Sequence, residues 1–247
     1  MVNLFILIPT YNESENITKL LFLIKNEFLK NKNRNFYIYV VDDSSPDGTF
    51  KIAQNTALKL NDNKFKITPL LKKNKEGVGK AYLFALSKLK NNFGKKNSFF
   101  MFMDADLSHN PKYIPNFLNG MLAGSDFIVG SRYANGGAIL GWKWYRKFIS
   151  VGGNYYARLI LGKKFTDYTS GFNMVDGRLF TLINFSDLDV PGYGFFINLK
   201  YQFSKIAENV TEIPIILNDR FAGKSKMPPS TIATSFLLVL KIKLGLI

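Results

Sequence analysis

Phe99-Phe100-Met101-Phe102-Met103-Asp104-Ala105-Asp106-Leu107-Ser108-His109 is an apolar run that stops abruptly at two carboxylates one residue apart. Five apolar residues bounded by polar ones read as a buried strand, and side chains two apart on an extended chain project to the same face. Asp104 and Asp106 therefore point together. Two hard anionic ligands at the end of a buried strand form a seat for Mg²⁺ or Mn²⁺, which prefer oxygen ligands and share them with a substrate's phosphates. The same pattern also arises where one Asp caps a helix and the other is solvated, so its weight comes from its surroundings.

The unit repeats on both sides of this stretch. Leu4 to Ile8 is a continuous apolar run, as in a parallel strand buried on both faces, and Pro9 ends it. In the polar turn Thr10-Tyr11-Asn12-Glu13-Ser14-Glu15, Asn12 and Glu15 have capping-box spacing, and Ile17, Leu20, Leu21 and Ile24 then keep helical spacing. Phe36 to Val41 is a second strand. It leads into Asp42-Asp43-Ser44-Ser45-Pro46-Asp47-Gly48-Thr49, where Ser45 as N-cap and Pro46 at the first helical position predict a helix to about Leu60. Lys66 to Leu71 reads as a third strand. Gly77-Val78-Gly79-Lys80-Ala81 fails the spacing of a Walker phosphate loop and has Ala81 where Ser or Thr would hold Mg²⁺, so it reads as the start of a helix over Ala81 to Leu89. A helix follows Asn110-Pro111, and Asp126 to Gly130 is a further strand ending in Ser131-Arg132-Tyr133. Strands alternating with helices predict an α/β fold with a doubly wound, mostly parallel sheet, which binds ligands at the C-terminal ends of its strands.

Beyond Tyr133 the rhythm changes. Trp142 opens a long helix to about Leu161 that mixes aromatic and basic residues, the composition either of a membrane-interface segment or of an aromatic helix packed on the sheet. Helices are predicted at about Gly177 to Asn184 and Gly194 to Glu208, and a strand at Val210 to Leu217. No linker marks a boundary. Residues 1–227 read as one domain, and 228–247 as a C-terminal amphipathic helix that belongs to it or contacts a membrane or partner.

Composition narrows the chemistry. The chain of 247 residues has no cysteine, which excludes disulfides, zinc-thiolate sites and a cysteine nucleophile. Leu4 to Ile8 is too short for a signal peptide, and no apolar run approaches the ~20 residues of a membrane span, so a cytosolic protein is expected. The net charge of +15 is concentrated: seven basic residues and no acidic one lie between Asp126 and Asp167, and only basic charge follows Asp219. Such segments attract phosphate-bearing partners. A non-catalytic basic adaptor for membranes or nucleic acid is the rival reading. It has no need for Asp43, Asp104 and Asp106 at three strand ends, so no nucleic acid partner is expected.

The ordered set Pro9-Thr10-Tyr11-Asn12-Glu13, Asp42 to Thr49, Asp104 to His109, Gly130-Ser131-Arg132-Tyr133, Thr169-Ser170-Gly171-Phe172, and Asp219-Arg220 with Gly223-Lys224-Ser225-Lys226 resembles the polyprenol-phosphate (dolichol-phosphate) mannose synthases. These are inverting glycosyltransferases of family two, with the Rossmann-like GT-A fold. The resemblance runs from Leu4 to about Lys226. It implies a GT-A domain with a C-terminal helical, membrane-facing elaboration, and transfer of mannose from GDP-mannose to dolichyl or polyprenyl phosphate with Mg²⁺ or Mn²⁺. A polyprenyl-phosphate glucosyl- or other hexosyltransferase using a UDP-sugar is the neighbouring alternative.

By position, the resemblance makes Pro9, Tyr11, Glu13, Val41 and Asp43 walls of the nucleotide pocket, and has Asp104, Ala105 and Asp106 bind the nucleotide sugar, with Asp104 and Asp106 on the metal. Arg132, Arg146 and Ser150 match positions that hold the acceptor's phosphate and the donor's diphosphate, and Arg220 and Lys226 match a loop that closes over the donor. Asp104, Asp106, Arg132 and Arg146 thus form the implied catalytic set. The protein would sit peripherally on the cytosolic face of a membrane, by itself or through a small membrane subunit. Three features depart from the family. Asn173 replaces the usual Arg, Phe196 and Asn198 replace a Gln and an acidic residue, and Ser108 stands where some relatives have Gln and would make a weaker, water-mediated metal ligand. His109 is expected to cap a helix or pack rather than act beside the metal.

Overall fold

The computed structural model describes residues 1–30, 33–190, 194–219 and 230–246, with the backbone alone at 230–235. The chain runs β1 (Val2–Thr10), α1 (Ile17–Leu29), β2 (Arg34–Asp42), α2 (Thr49–Leu60), β3 (Phe65–Leu71), α3 (Val78–Lys88), β4 (Ser98–Phe102), α4 (Ile114–Leu122), β5 (Phe127–Ser131), β6 (Ala138–Ile139), α5 (Trp144–Leu161), β7 (Asn173–Asp176), α6 (Gly194–Ile206), β8 (Val210–Pro214), β9 (Ile216–Leu217) and α7 (Ser230–Leu244). Seven strands form one sheet in the order β3-β2-β1-β4-β7-β5-β8. It is parallel except at β7, which pairs antiparallel with both neighbours.

The apolar runs of β1 and β4 follow from helices on both faces. Leu4, Ile6, Ile8, Phe99 and Met101 pack with α1, α2 and α4, while Phe5, Leu7, Phe100 and Phe102 pack with α3, α5, α6 and α7. A strand covered twice has no reason to alternate. Among the described residues, no helix is long and apolar enough to cross a membrane.

Several elements differ from the sequence expectation. β7 was not expected at all: four residues flanked by Ser-Gly-Phe and Gly-Arg carry too little periodicity to read. The capping box at Asn12 and Glu15 does not form. Asn12 has φ 55° and donates its amide to Ser45 Oγ, so α1 starts instead at Ile17, with Asn16 Nδ2 donating to Glu13 Oε2 at 2.8 Å. Ser45 is likewise no cap. Asp47 Oδ1 accepts the Thr49 amide at 3.0 Å, and α2 begins at Thr49 behind Gly48, whose φ of 84° suits glycine. The expected helix at Gly177 to Asn184 is a 3-10 turn over Gly177–Thr181 followed by another over Phe185–Leu188. The expected strand Val210 to Leu217 divides at Pro214, and Ile216–Leu217 pairs with β6 in a separate two-stranded ribbon. Beyond it, Asp219 lies 3.4 Å from Arg146.

Candidate active site

Three loops meet beyond the C-terminal ends of β1, β2 and β4, and each contains a non-glycine residue with left-handed backbone: Asn12 (φ 55°), Ser44 (φ 63°) and Leu107 (φ 65°). Each such residue costs on the order of 1–3 kcal/mol and persists because its neighbours over-determine it. Asp42 supplies much of that constraint. Fully buried, it accepts Thr10 Oγ1 at 3.0 Å and the Ser45 amide and hydroxyl at 2.8 and 2.6 Å.

Asp43 is also buried. It pairs with Lys72 Nζ at 2.7 Å and accepts the amides of Glu76 and Gly77, so it ties the end of β2 to the end of β3 and the start of α3. Pro9 and Val41 are register partners in adjacent strands, which makes them neighbours on one wall. Tyr11 lies under Lys75, whose Nζ is 3.7 Å from the ring centroid, and the Glu13 amide donates to Thr49 Oγ1. The five residues matched to the nucleotide pocket thus border the same edge.

Asp104 and Asp106 lie beyond the strand, which ends at Phe102, so they stand in a loop and not on an extended backbone. Both carboxylates act on the buried Tyr82 hydroxyl, whose pKa is driven far up by burial and then by the two negative charges. Asp106 is buried, and its Oδ1 accepts the Ser108 amide at 3.1 Å and hydroxyl at 2.6 Å. Ser108 therefore orients Asp106. Ala105 between the two aspartates is buried. His109 neither caps a helix nor stands apart from the aspartates: its Nδ1 accepts the Asp104 amide at 2.9 Å, its Nε2 lies 3.8 Å from Asp104 Oδ2, and its ring stacks on Phe172 at 4.9 Å. The packing part of the expectation holds. The cap belongs to Asn110, whose side chain accepts the Lys112 amide.

Among the described residues, no group of three or more His, Cys, Asp or Glu could enclose a metal ion. Two carboxylate groups of hard oxygen donors, with the other positions left to phosphate oxygens and water, fit the incomplete protein shell in which Mg²⁺ or Mn²⁺ is held.

Arg132 and Arg146 come from different segments to one indole. Trp142 has the Arg146 guanidinium 3.8 Å and the Arg132 guanidinium 5.7 Å from its ring centroid. Asp167 holds buried Arg132 bidentately, through Nε and Nη2 at 2.7 Å each, and Thr169 Oγ1 accepts Nη2 at 2.6 Å. Burial alone would lower the Arg132 pKa, but Asp167 outweighs it. Asp104 adds to the rise, which puts Arg132 within electrostatic reach of the aspartate loop. Asp167 in turn is held below the usual carboxylate range: burial pushes it up, and the charge and hydrogen bonds of Arg132 more than compensate. The hydrogen bonds of Arg132 to described side chains use Nε and Nη2. Arg146 meets Asp219 at 3.4 Å, and the Tyr133 hydroxyl donates to Ser150 Oγ at 2.7 Å. Arg220 and Lys226 lie outside the described residues.

Sequence reasoning missed Asp167, Asn154 and Lys200, which with Thr169 of the quoted Thr169-Ser170-Gly171-Phe172 stretch build the loop behind Arg132. Asn154 Nδ2 donates to Thr169 Oγ1, and its Oδ1 accepts the Tyr168 amide. A usable signal for Asp167 was present: it is the acidic residue that ends the basic run, just ahead of Thr169-Ser170-Gly171. Asn173 is buried in β7 and donates to Ser170 O, with its own Oδ1 unpartnered among the described residues, while Phe196 joins the Tyr82 and Phe102 rings and Asn198 donates to Asp187 O.

Residues 5–181 match the family described as Glycosyl transferase family 2. The polyprenol monophosphomannose synthase of Mycolicibacterium smegmatis is 34% identical over 229 residues, 92% of this chain and 82% of that protein. The undecaprenyl-phosphate mannosyltransferase of Micrococcus luteus is 31% identical over 223 residues, 90% and 86% of the two chains. Among solved structures, the mannosyl-3-phosphoglycerate synthase of Rubrobacter xylanophilus superposes with a TM-score of 0.65 at 14% identity, over 99% of this chain and 73% of that one, a likeness of fold.

Proposed function

The chain belongs to glycosyl transferase family 2, and from that premise we propose that it transfers mannose with inversion from GDP-mannose to the phosphate of a polyprenyl or dolichyl lipid. The observation that carries this reading is the meeting of Arg132 and Arg146 over Trp142, beside the aspartate loop and at the start of α5, a helix whose outer face is apolar.

A sugar leaving a nucleoside diphosphate develops negative charge on that diphosphate. Mg²⁺ or Mn²⁺ held by Asp104 and Asp106 supplies electrostatic stabilisation of that charge when bound. Ser108 fixes the Asp106 carboxylate, and His109 the Asp104 backbone, before substrate arrives. Arg132 and Arg146, as planar forks, suit the phosphate groups of acceptor and donor, and Tyr133 orients the Ser150 hydroxyl toward the same subsite. The acceptor phosphate is already anionic at neutral pH, since its second pKa is about 6, so the attacking oxygen needs no general base. This accords with a site whose histidine is committed to the Asp104 amide. Pro9, Tyr11, Glu13, Val41 and Asp43 border the proposed nucleotide pocket, and Arg220 and Lys226 are proposed to close over the donor.

The lipid must come from a bilayer. On α5, Asn154, Ala157 and Leu161 face the core, Arg146 and Ser150 face the site, and Trp144, Phe148, Val151, Tyr155 and Leu159 form an exposed apolar stripe. Phe236, Leu237 and Leu240 of α7 extend it, joined by the ring contact of Tyr156 with Phe236. Lys147, Lys241 and Lys243 lie among these residues in sequence, as in an interfacial helix at an anionic surface. Peripheral attachment through this face, alone or beside a small membrane subunit, follows from the reading.

Incubation with Mg²⁺, radiolabelled GDP-mannose and polyprenyl phosphate is expected to give a lipid-extractable labelled product. Absence of that product together with turnover of UDP-glucose would overturn the mannose assignment in favour of a hexosyltransferase of the same fold.

A further inference from the structure

Lys200 of α6 is completely buried, and no carboxylate lies within ion-pair distance of it among the described residues. Its Nζ donates to Ser170 O at 2.6 Å and Tyr168 O at 3.2 Å, with the Phe196 ring centroid 5.7 Å away. An ammonium so placed is costly, and removing a residue that merely filled space would be cheaper than keeping its charge.

The carbonyls it holds belong to the segment that presents Arg132. Asp167, one residue before Tyr168, grips the Arg132 guanidinium, and its Oδ1 also accepts the Ser170 amide at 3.0 Å. The Ser170 hydroxyl donates at 2.7 Å to Gly130 O, two residues before Arg132. Lys200 therefore clamps, from a neighbouring helix, a loop anchored to the same turn as Arg132. The charged groups that face it are Asp167 on that loop, Arg132 after β5 and Glu212 on β8.

We propose that Lys200 is a positioning residue for the transfer: its ammonium fixes the Tyr168–Ser170 backbone so that Asp167 presents Arg132 to the anionic groups of the substrates, and loss of its proton loosens that presentation. The catalytic half of this statement rests on the function proposed above. The structural half does not. Burial lowers the Lys200 pKa to about 7, with Arg132 adding to the fall and Asp167 and Glu212 opposing it. The clamp therefore titrates in the neutral range.

The test uses the full chain without substrate first. The Arg132 Nε–H and Ser170 amide resonances, followed from about pH 6 to 8.5, are expected to shift with a common midpoint near 7 in the wild type and to lose that transition in Lys200→Met. In the mannosyl-transfer assay, Lys200→Met is expected to lower kcat/KM for polyprenyl phosphate at least about tenfold at pH 6.5 and to abolish the wild-type decline above neutrality. Wild-type resonances flat across the range, or a Lys200→Met enzyme with the wild-type rate and pH profile, would overturn the proposal. The wild-type titration decides it even where the variant does not fold. A neutral-range titration in a protein that makes no mannosyl lipid would uphold the clamp and sink the substrate assignment, whereas transfer without the titration would do the reverse.

Discussion

At the residue scale, what distinguishes this site is how many of its charges are held by others. The Asp106 carboxylate is oriented by Ser108 and the Arg132 guanidinium by Asp167, while His109 holds the backbone amide of Asp104. Asp106→Ala is expected to reduce transfer by at least about a hundredfold while the melting temperature stays near wild type, because its hydrogen bonds to Ser108 lie within one short loop. Full activity in that variant would remove Asp106 from the chemistry. Asp167→Asn has a different signature: it leaves the buried Arg132 without its carboxylate, so it is expected to cost about 3–5 kcal/mol in urea unfolding as well as activity. Lys200 gives a pH dependence of stability with a definite sign. Its folded pKa of about 7 lies below its ordinary value of 10.5, so between these values the unfolded chain binds more protons, and this group's contribution to stability rises with pH. The full cost is present below about 7. Urea midpoints should therefore shift upward from pH 7 to pH 9 in the wild type relative to Lys200→Met, opposite in direction to the expected change in rate.

At the element scale, α5 carries three assignments on one helix, and the sequence left its outer face open between membrane contact and packing on the sheet. The structure answers the geometric part: Trp144 is 79% and Phe148 76% exposed, while Ala157 and Leu161 pack inward. Because exposed positions contribute little to the core, Trp144→Glu with Phe148→Glu is expected to leave folding and GDP-mannose binding unchanged but to weaken sedimentation with anionic vesicles at least about tenfold. Unaltered sedimentation would move the membrane contact elsewhere. The antiparallel strand β7 has the opposite history. Nothing in Asn173-Met174-Val175-Asp176 announces a strand, yet its insertion between β4 and β5 places Thr169 to Phe172 beside the aspartate loop, with Gly171 so close that a Cβ would lie 3.0 Å from Phe196 and 3.3 Å from His109.

At the scale of the whole molecule, α7 closes the layer formed by α5 and α6, with Val239 and Ile242 buried and Leu238 against Gly194. Ile242→Ala is expected to cost about 2–4 kcal/mol, measured by denaturant midpoint; a neutral result would show that the helix is detachable. The sequence by itself determined the alternation of strands and helices, the strand ends at Asp42-Asp43 and Asp104 to Asp106, the family resemblance, and the basic character of the chain after Asp126. These are local or one-dimensional properties: burial on both faces writes an apolar run directly, and turn residues mark its end. Helix starts were misplaced by a few residues because Asn12 and Ser45 make their hydrogen bonds across or within loops and not at the caps their spacing suggested, while Asp47 takes the Thr49 amide. Only the tertiary structure decided that Arg132 and Arg146 share Trp142, that Asp167 and Lys200 stand behind Arg132, and that β8 and β9 part at Pro214 to return Asp219 to Arg146. Arg132 and Asp167 stand 35 positions apart and Arg146 and Asp219 73 apart, and no local pattern encodes a contact whose stabilisation comes from burying a charge together with its distant partner.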